Sequence, residues 1–429
     1  MVLAGVLVLL FVLLLARVPV GVAIGVSAVV GLLAHGGPSA AVGFLETTPY
    51  AAVSTYTLAA IPLFILMAQL VLKSGVTTEL FAAARVWVGR VPAGLGVATT
   101  TTGATFAAVS GSSTAAAAAL ASTTIPEMER EHYDGRLANG LVAVVGTLAA
   151  MVPPSIILVF YAILAEVSVG QMLVAGLVPG LLVTVTIIVT TLVLVHRKPA
   201  LAPAGRRYTL AEKLRTVPVL GPVALLFLLV VGSIYLGLTT PTESAGLGVA
   251  GALVIGLARR RLDLARIRDA LVETLTSTAM ILLIIASAYL FGYFMTLTRI
   301  TGTLVDAIAG VAAPPLAIFA LIALVYLVLG AFLDQLAILA LTVPVVLPVV
   351  EQLGYDPIWF GVMIILLAEI GLVTPPLGMN VFIVSKATGR PAEEIFVGVL
   401  PYVAALLVLV AVLAALPGVV LWLPETMGG

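Results

Sequence analysis

The chain has 429 residues, of which 62% are hydrophobic and 9% charged, with equal numbers of acids and bases and no cysteine. A soluble domain carries about 25% charged residues, so this composition excludes one and describes a polytopic membrane protein. The absence of cysteine excludes disulfides, thiolate metal sites and a cysteine nucleophile, and zero net charge gives no electrostatic footprint for nucleic acid.

In chain order, hydropathy broken by Gly, Pro and charge predicts spans near 2–16, 20–34, 50–72, 137–165 and 172–195. The first has no basic run before it and no small-residue cleavage motif, so it is expected to be a retained span and not a signal peptide. An amphipathic stretch near 77–90 and a small-residue segment at 93–125 separate the third span from the fourth. A charged, Pro-containing linker at 197–217 leads to spans near 218–237, 242–258, 272–295, 358–385 and 395–423, with a second special segment at 315–349. His35, His132 and His196 fall in predicted loops, which argues against a metal cluster or a His-based catalytic centre. An intramembrane enzyme would also need a Ser/His/Asp or metal-ligand set in the spans, and none is visible.

Seven anchors recur at an offset of 222 residues: Pro19 with Pro241, Pro92 with Pro314, Pro126 with Pro348, Tyr133-Asp134 with Tyr355-Asp356, Pro153-Pro154 with Pro375-Pro376, Gly176 with Gly398, and Pro179 with Pro401. Chance predicts about 0.7 proline coincidences where six occur, so the chain reads as a duplication. The units are 1–196 and 218–429, joined by the linker.

The 33 residues of 93–125 are short for two spans and long for one. A re-entrant helical hairpin fits, with the tip at Ser110-Gly111-Ser112-Ser113; the second tip, near Gly330 to Gln335, lies in 315–349. Each copy then crosses five times, and an odd number inverts the second copy. With this parity, nineteen of the twenty Lys and Arg fall on one face and only Arg299 on the other. The positive-inside rule makes that face cytoplasmic and puts both termini outside. The expected fold class is therefore an all-α polytopic membrane protein of two inverted five-span repeats, each with a re-entrant hairpin and a Pro-Pro-broken helix.

As one helix, 137–165 would be about 43 Å long, and Pro153-Pro154 interrupts it. Consecutive prolines withhold two backbone donors, so the carbonyls of Ala149 and Ala150, and of Gly371 and Leu372 before Pro375-Pro376, are expected to lose their helical partners. Such oxygens, facing a Ser-rich tip, suit a small hard cation. One sodium site would combine Ser110, Gly111, Ser112 and Ser113 with the break around Ala150, Pro153 and Ser155. Its counterpart would combine Gly330 and Asp334 with Gly371, Thr374, Gly378 and Asn380. Asp334 and Glu369 are intramembrane acids and so functional candidates, with helix capping as their alternative; Glu243, after Pro241, suits an N-cap role. No Lys or Arg falls in the predicted core, so an anionic solute would be held by half-helix N-termini, hydroxyls and co-bound cations. Ser113, Thr114, Ser155 and Asn380 are the candidate contacts to it. Sodium is the expected coupling ion, with no other cofactor and no transition metal.

Gly371-Leu-Val-Thr-Pro-Pro-Leu-Gly-Met-Asn380, Pro241-Thr-Glu-Ser-Ala, Ile61-Pro-Leu-Phe64 and the Ser110-Gly-Ser-Ser113 tip resemble the large membrane subunit of tripartite ATP-independent periplasmic (TRAP) transporters, of DctM type, within the ion transporter superfamily. The resemblance implies an elevator-type mechanism in the bacterial inner membrane, driven by sodium. It also implies a small four-span membrane subunit, here expected as a separate polypeptide, and a periplasmic binding protein that delivers a dicarboxylate, sialic or other sugar acid, or keto acid. The alternative from another class is a stand-alone proton- or sodium-coupled anion exchanger or symporter that needs no binding protein.

Overall fold

The computed structural model describes residues 2–89, 91–203, 205, 208–300, 302–303 and 314–427, and among them it contains helices and no strand. The first half comprises α1 (Val2–Leu15), α2 (Val20–Val53), α3 (Ala60–Lys73), α4 (Val76–Val88), α5 (Gly94–Ser110), α6 (Ser113–Arg130), α7 (Gly135–Gly146), α8 (Leu148–Met151), α9 (Ile156–Leu164), α10 (Val169–Ala175) and α11 (Leu177–Arg197). After α12 (Leu210–Leu214) come α13 (Val217–Phe227), α14 (Ser233–Tyr235), α15 (Pro241–Ala258) and α16 (Leu264–Leu297). The second half continues with α17 (Pro315–Phe332), α18 (Gln335–Gln352), α19 (Pro357–Gly371), α20 (Met379–Thr388), α21 (Ala392–Ala415) and α22 (Gly418–Glu425). Among the described residues nine helices are long and apolar enough to cross a membrane, and α7–α8 with α9 form a further pair bent by 48° at the Pro-Pro break.

The offset read from prolines reappears in the helix boundaries. The run α6 at 113–130 becomes α18 at 335–352, α5 and α17 end at 110 and 332, and α7 and α19 start at 135 and 357. Local chemistry fixes these points. Asp134 accepts the N–H groups of Arg136 and Leu137 at 3.0 and 3.1 Å, and Asp356 does the same for Ile358 and Trp359 at 2.7 and 3.2 Å. Ser112 caps α6 through Ala115 N, while its counterpart Asp334 caps α18 through Leu336 N. An N-cap oxygen satisfies one of the donors that every helix start leaves free. Glu243 is likewise a capping residue, in a reciprocal box with Thr240.

Hydrogen bonds sort the connections onto two ends. At one end Arg85 pairs with Glu127 and Glu131, Arg390 with Glu129, Arg259 and Arg261 with Glu79, and Lys73 with Glu273. Asp134 N bonds Leu201 O, and Trp87 bonds Thr216 at that same end. At the other end Tyr161 donates to Pro357 O at 2.6 Å, Trp359 to Leu413 O at 3.2 Å, and Tyr235 lies 3.0 Å from Thr426. Leu95 N donates to the Tyr133 hydroxyl, so both outer ends of the first hairpin (α5–α6) sit at the first end. Phe319 packs on Tyr355 and Trp359, so those of the second (α17–α18) sit at the other. The tips meet between them, where Gln335 Nε2 donates to Ser113 Oγ at 3.2 Å. Each hairpin therefore enters and leaves on its own side, and equivalent elements point in opposite directions.

Several expected boundaries move. Residues 38–53, placed in a loop and at the start of the third span, are helical; α2 continues through a break at Gly37 (φ 76°). His35 and His196 accordingly lie in helices, and only His132 is in a turn. The last span ends at Ala415, with α22 separate from it. Of the basic residues assigned to one face, Arg90, Arg206 and Arg207 lie outside the described residues.

Candidate functional site: a cavity between two hairpin tips

A cavity of about 220 Å³ opens where both tips face α3 and α16. Its lining includes Ser113, Gln335, Ile156 and Met379, the first residues of α6, α18, α9 and α20. Four helix N-termini thus border one space, because each hairpin and each Pro-Pro break starts a new helix there. A helix N-terminus presents free N–H groups and partial positive charge, worth up to about 2 kcal/mol toward an anion in a partly buried setting. The facing wall comes from Gln69 on α3 and Ser277 on α16, among apolar neighbours.

The tips and breaks are joined tightly. Gly111, at φ 59°, faces Pro154 O and Ile156 N, where a Cβ would stand 3.3 and 3.2 Å away. Ser113 Oγ donates to Glu369 Oε1 at 2.5 Å and accepts from Gln335, which ties α6, α18 and α19 together. Around this junction, several buried atoms lack a partner: Ser110 Oγ, Gln335 Oε1, Glu369 Oε2 and both amide atoms of Asn380. Buried polar atoms are nearly always paired, so a concentration of unpaired ones marks a place for something the chain itself does not supply.

Of the residues expected to bind, Ser110, Gly111, Ser112, Ser113, Thr114 and Asp334 line the cavity. Ala150, Pro153, Ser155, Gly330, Gly371, Thr374, Gly378 and Asn380 are not part of that lining. Three of the four freed carbonyls find other donors. Ala150 O accepts the Ser155 hydroxyl at 2.7 Å, Gly371 O the Thr374 N–H at 2.9 Å, and Leu372 O the Asn380 N–H at 3.1 Å. Their second lone pairs remain. Ser155 is fully buried and also caps α9 through Leu158 N, and Thr374 donates back to Ile370 O. Gly330 and Gly371 pack backbone on backbone: a Cβ on Gly371 would stand 2.5 Å from Gly330 Cα. Gln335 and the α3–α16 wall were not singled out from sequence. The signal for Gln335 was available, since it lies 222 residues from Ser113.

This arrangement, inverted helical repeats whose interrupted helices start at one central cavity, is that of a membrane transporter. Residues 7–419 match the family described as Tripartite ATP-independent periplasmic transporter, DctM component, and the chain belongs to it. It is 34% identical to the C4-dicarboxylate TRAP transporter large permease protein DctM of Pseudomonas aeruginosa, over 91% of this chain and 90% of that protein. It is 32% identical to the sialic acid TRAP transporter large permease protein SiaM of Vibrio cholerae, over 91% of each. With the isethionate TRAP transporter permease protein DctMQ of Oleidesulfovibrio alaskensis the identity is 30%, over 94% of this chain and 63% of that longer one. In fold it is similar to the crystal structure of the Alcanivorax borkumensis YdaH transporter, with a TM-score of 0.67 at 16% identity and 91% coverage of each chain.

Proposed function

We propose that the chain is the large permease subunit of a sodium-coupled TRAP transporter that takes up a small organic anion across the bacterial inner membrane. A small four-span membrane subunit and a periplasmic binding protein would complete the system. The observation that carries this reading is the cavity onto which four helix N-termini open with no Lys or Arg in its lining. An anion there has its charge met by helix ends and by co-bound cations, not by a fixed ion pair. The solutes in the relatives' names, C4-dicarboxylate, sialic acid and isethionate, are all organic anions.

Sodium ions would be held where each tip meets its break. One site uses Ser110 to Ser113 with Ala150 and Pro153; the other uses Gly330, Asp334, Gly371, Thr374, Gly378 and Asn380. Ser113, Thr114, Ser155 and Asn380 would shape the solute site. Hairpins and broken helices pack mainly on one another, as α6 on α7 and α20, and α17 on α19. The helices α2, α3, α15 and α16 form a second group, and the cavity lies between the two. An elevator movement of the first group against the second carries the cavity across the membrane. The repeats would be 1–196 and 218–429, joined at 197–217. The end that holds the ion-paired arginines is cytoplasmic and both termini are periplasmic.

Proteoliposomes that contain this chain, the small subunit and the binding protein should accumulate solute only under an inward sodium gradient. Uptake of equal rate in sodium-free buffer would reject sodium coupling. Ser112→Ala should raise the sodium concentration for half-maximal uptake about tenfold while leaving insertion intact.

A further inference from the structure

Ser113 and Gln335 occupy the same position in the two repeats, and they touch. Equivalent residues can meet only where the pseudo-two-fold axis passes, so this contact marks the axis. A serine hydroxyl has one proton. Ser113 gives it to Glu369 Oε1 and takes one from Gln335 Nε2. Two acceptors are left over, Glu369 Oε2 and Gln335 Oε1, on side chains that are 1% and 7% exposed. No described Lys, Arg or His pairs with Glu369.

The first repeat offers no second acid here. Position 369 corresponds to Thr147, which is buried and donates its hydroxyl to Val144 O at 2.6 Å. Asp334, beside Gln335, is the other acid at the tips, and its carboxylate is engaged as the cap of α18 through Leu336 N. A water could donate to either orphan oxygen, whereas a cation would also match the charge of an ionised Glu369 in the interior. A cation meets both needs at once. Oxygen ligands select a hard ion, and one carboxylate with neutral amide and hydroxyl oxygens matches a single positive charge better than a double one.

We propose that the axis holds a monovalent cation site of its own, with Glu369 Oε2 and Gln335 Oε1 as ligands, separate from the two tip-and-break sites. An ion there binds α18 to α19 directly and, through Ser113, holds the first tip against the second. The two hairpins then close as a unit when the site is filled. The identity of the ion as sodium rests on the reading given under Proposed function.

The test is equilibrium binding of ²²Na⁺ to the purified full-length protein without solute, for the wild type, Glu369→Gln, Gln335→Leu and Ser112→Ala. Glu369→Gln keeps an acceptor for Ser113 but removes the charge and puts an NH2 donor in place of the ligand oxygen, and it should bind one sodium ion fewer per chain at saturation. Gln335→Leu should weaken one site by about tenfold or more. Glu369→Gln with the wild-type number of ions and unchanged affinity overturns the axial site, and loss in Ser112→Ala alone then leaves the tip sites standing. If Glu369→Gln fails to fold, as judged by gel filtration, wild-type binding by Gln335→Leu overturns the axial site. Sodium-independent uptake together with Glu369-dependent ²²Na⁺ binding would reject sodium coupling and retain the site. Absence of ²²Na⁺ binding by the wild type overturns both.

Discussion

The two Pro-Pro breaks share a backbone path and differ in chemistry. In the first, Ser155 fills the carbonyl of Ala150 and caps α9, so the polar residue is consumed by the break itself. In the second, the counterpart of Ser155 is Leu377, and the counterpart of Leu158 is Asn380, whose backbone N–H closes the break while its amide stays unpaired. The tips diverge in the same sense, with Ser112 as cap in one and Asp334 in the other. Glu369 faces Ser113 from the second half alone. The two halves keep one geometry, and the second carries the acids and, Ser110 Oγ apart, the unpaired atoms named at the junction.

Glycine packing is where this asymmetry should cost most. Gly371 and Gly330 touch through their backbones, whereas their counterparts are Ala149 and Ala108. Gly371→Ala should destabilise the protein by about 3 kcal/mol. Ala149→Gly should cost about 1 kcal/mol. Thermal denaturation in detergent gives both, and equal losses would mean that the two hairpins pack alike.

A smaller effect separates the breaks. Ser155→Ala removes a buried hydrogen bond and a cap and should cost about 2 kcal/mol with sodium dependence unchanged. Asn380→Leu copies the first repeat and removes an amide that has no partner, so stability should hold or rise. Its sodium requirement for uptake should nevertheless increase. A stable, sodium-normal Asn380→Leu would strip the second break of its assigned role.

The smallest effect sharpens the comparison from the other side. Asp134 and Asp356 make the same two bonds at equivalent starts. Asp134→Ala and Asp356→Ala should each cost about 1 kcal/mol. Unequal losses would show that divergence reached the caps as well.

Sequence by itself determined what acts locally or statistically: a membrane chain from its composition, the duplication from its prolines, and the capping role of Glu243 after Pro241. Proline and capping side chains impose their geometry on adjacent residues, so they can be read without knowing what packs nearby. The cavity wall from α3 and α16, the meeting of Ser113 with Gln335 and the burial of Glu369 between the tips were decided only by tertiary structure. So was the fate of the freed carbonyls, because whether Ala150 O or Leu372 O stays open depends on which donor the folded turn returns to it. A polar atom's lack of a partner is a property of everything packed around it, and no single stretch of chain carries that information.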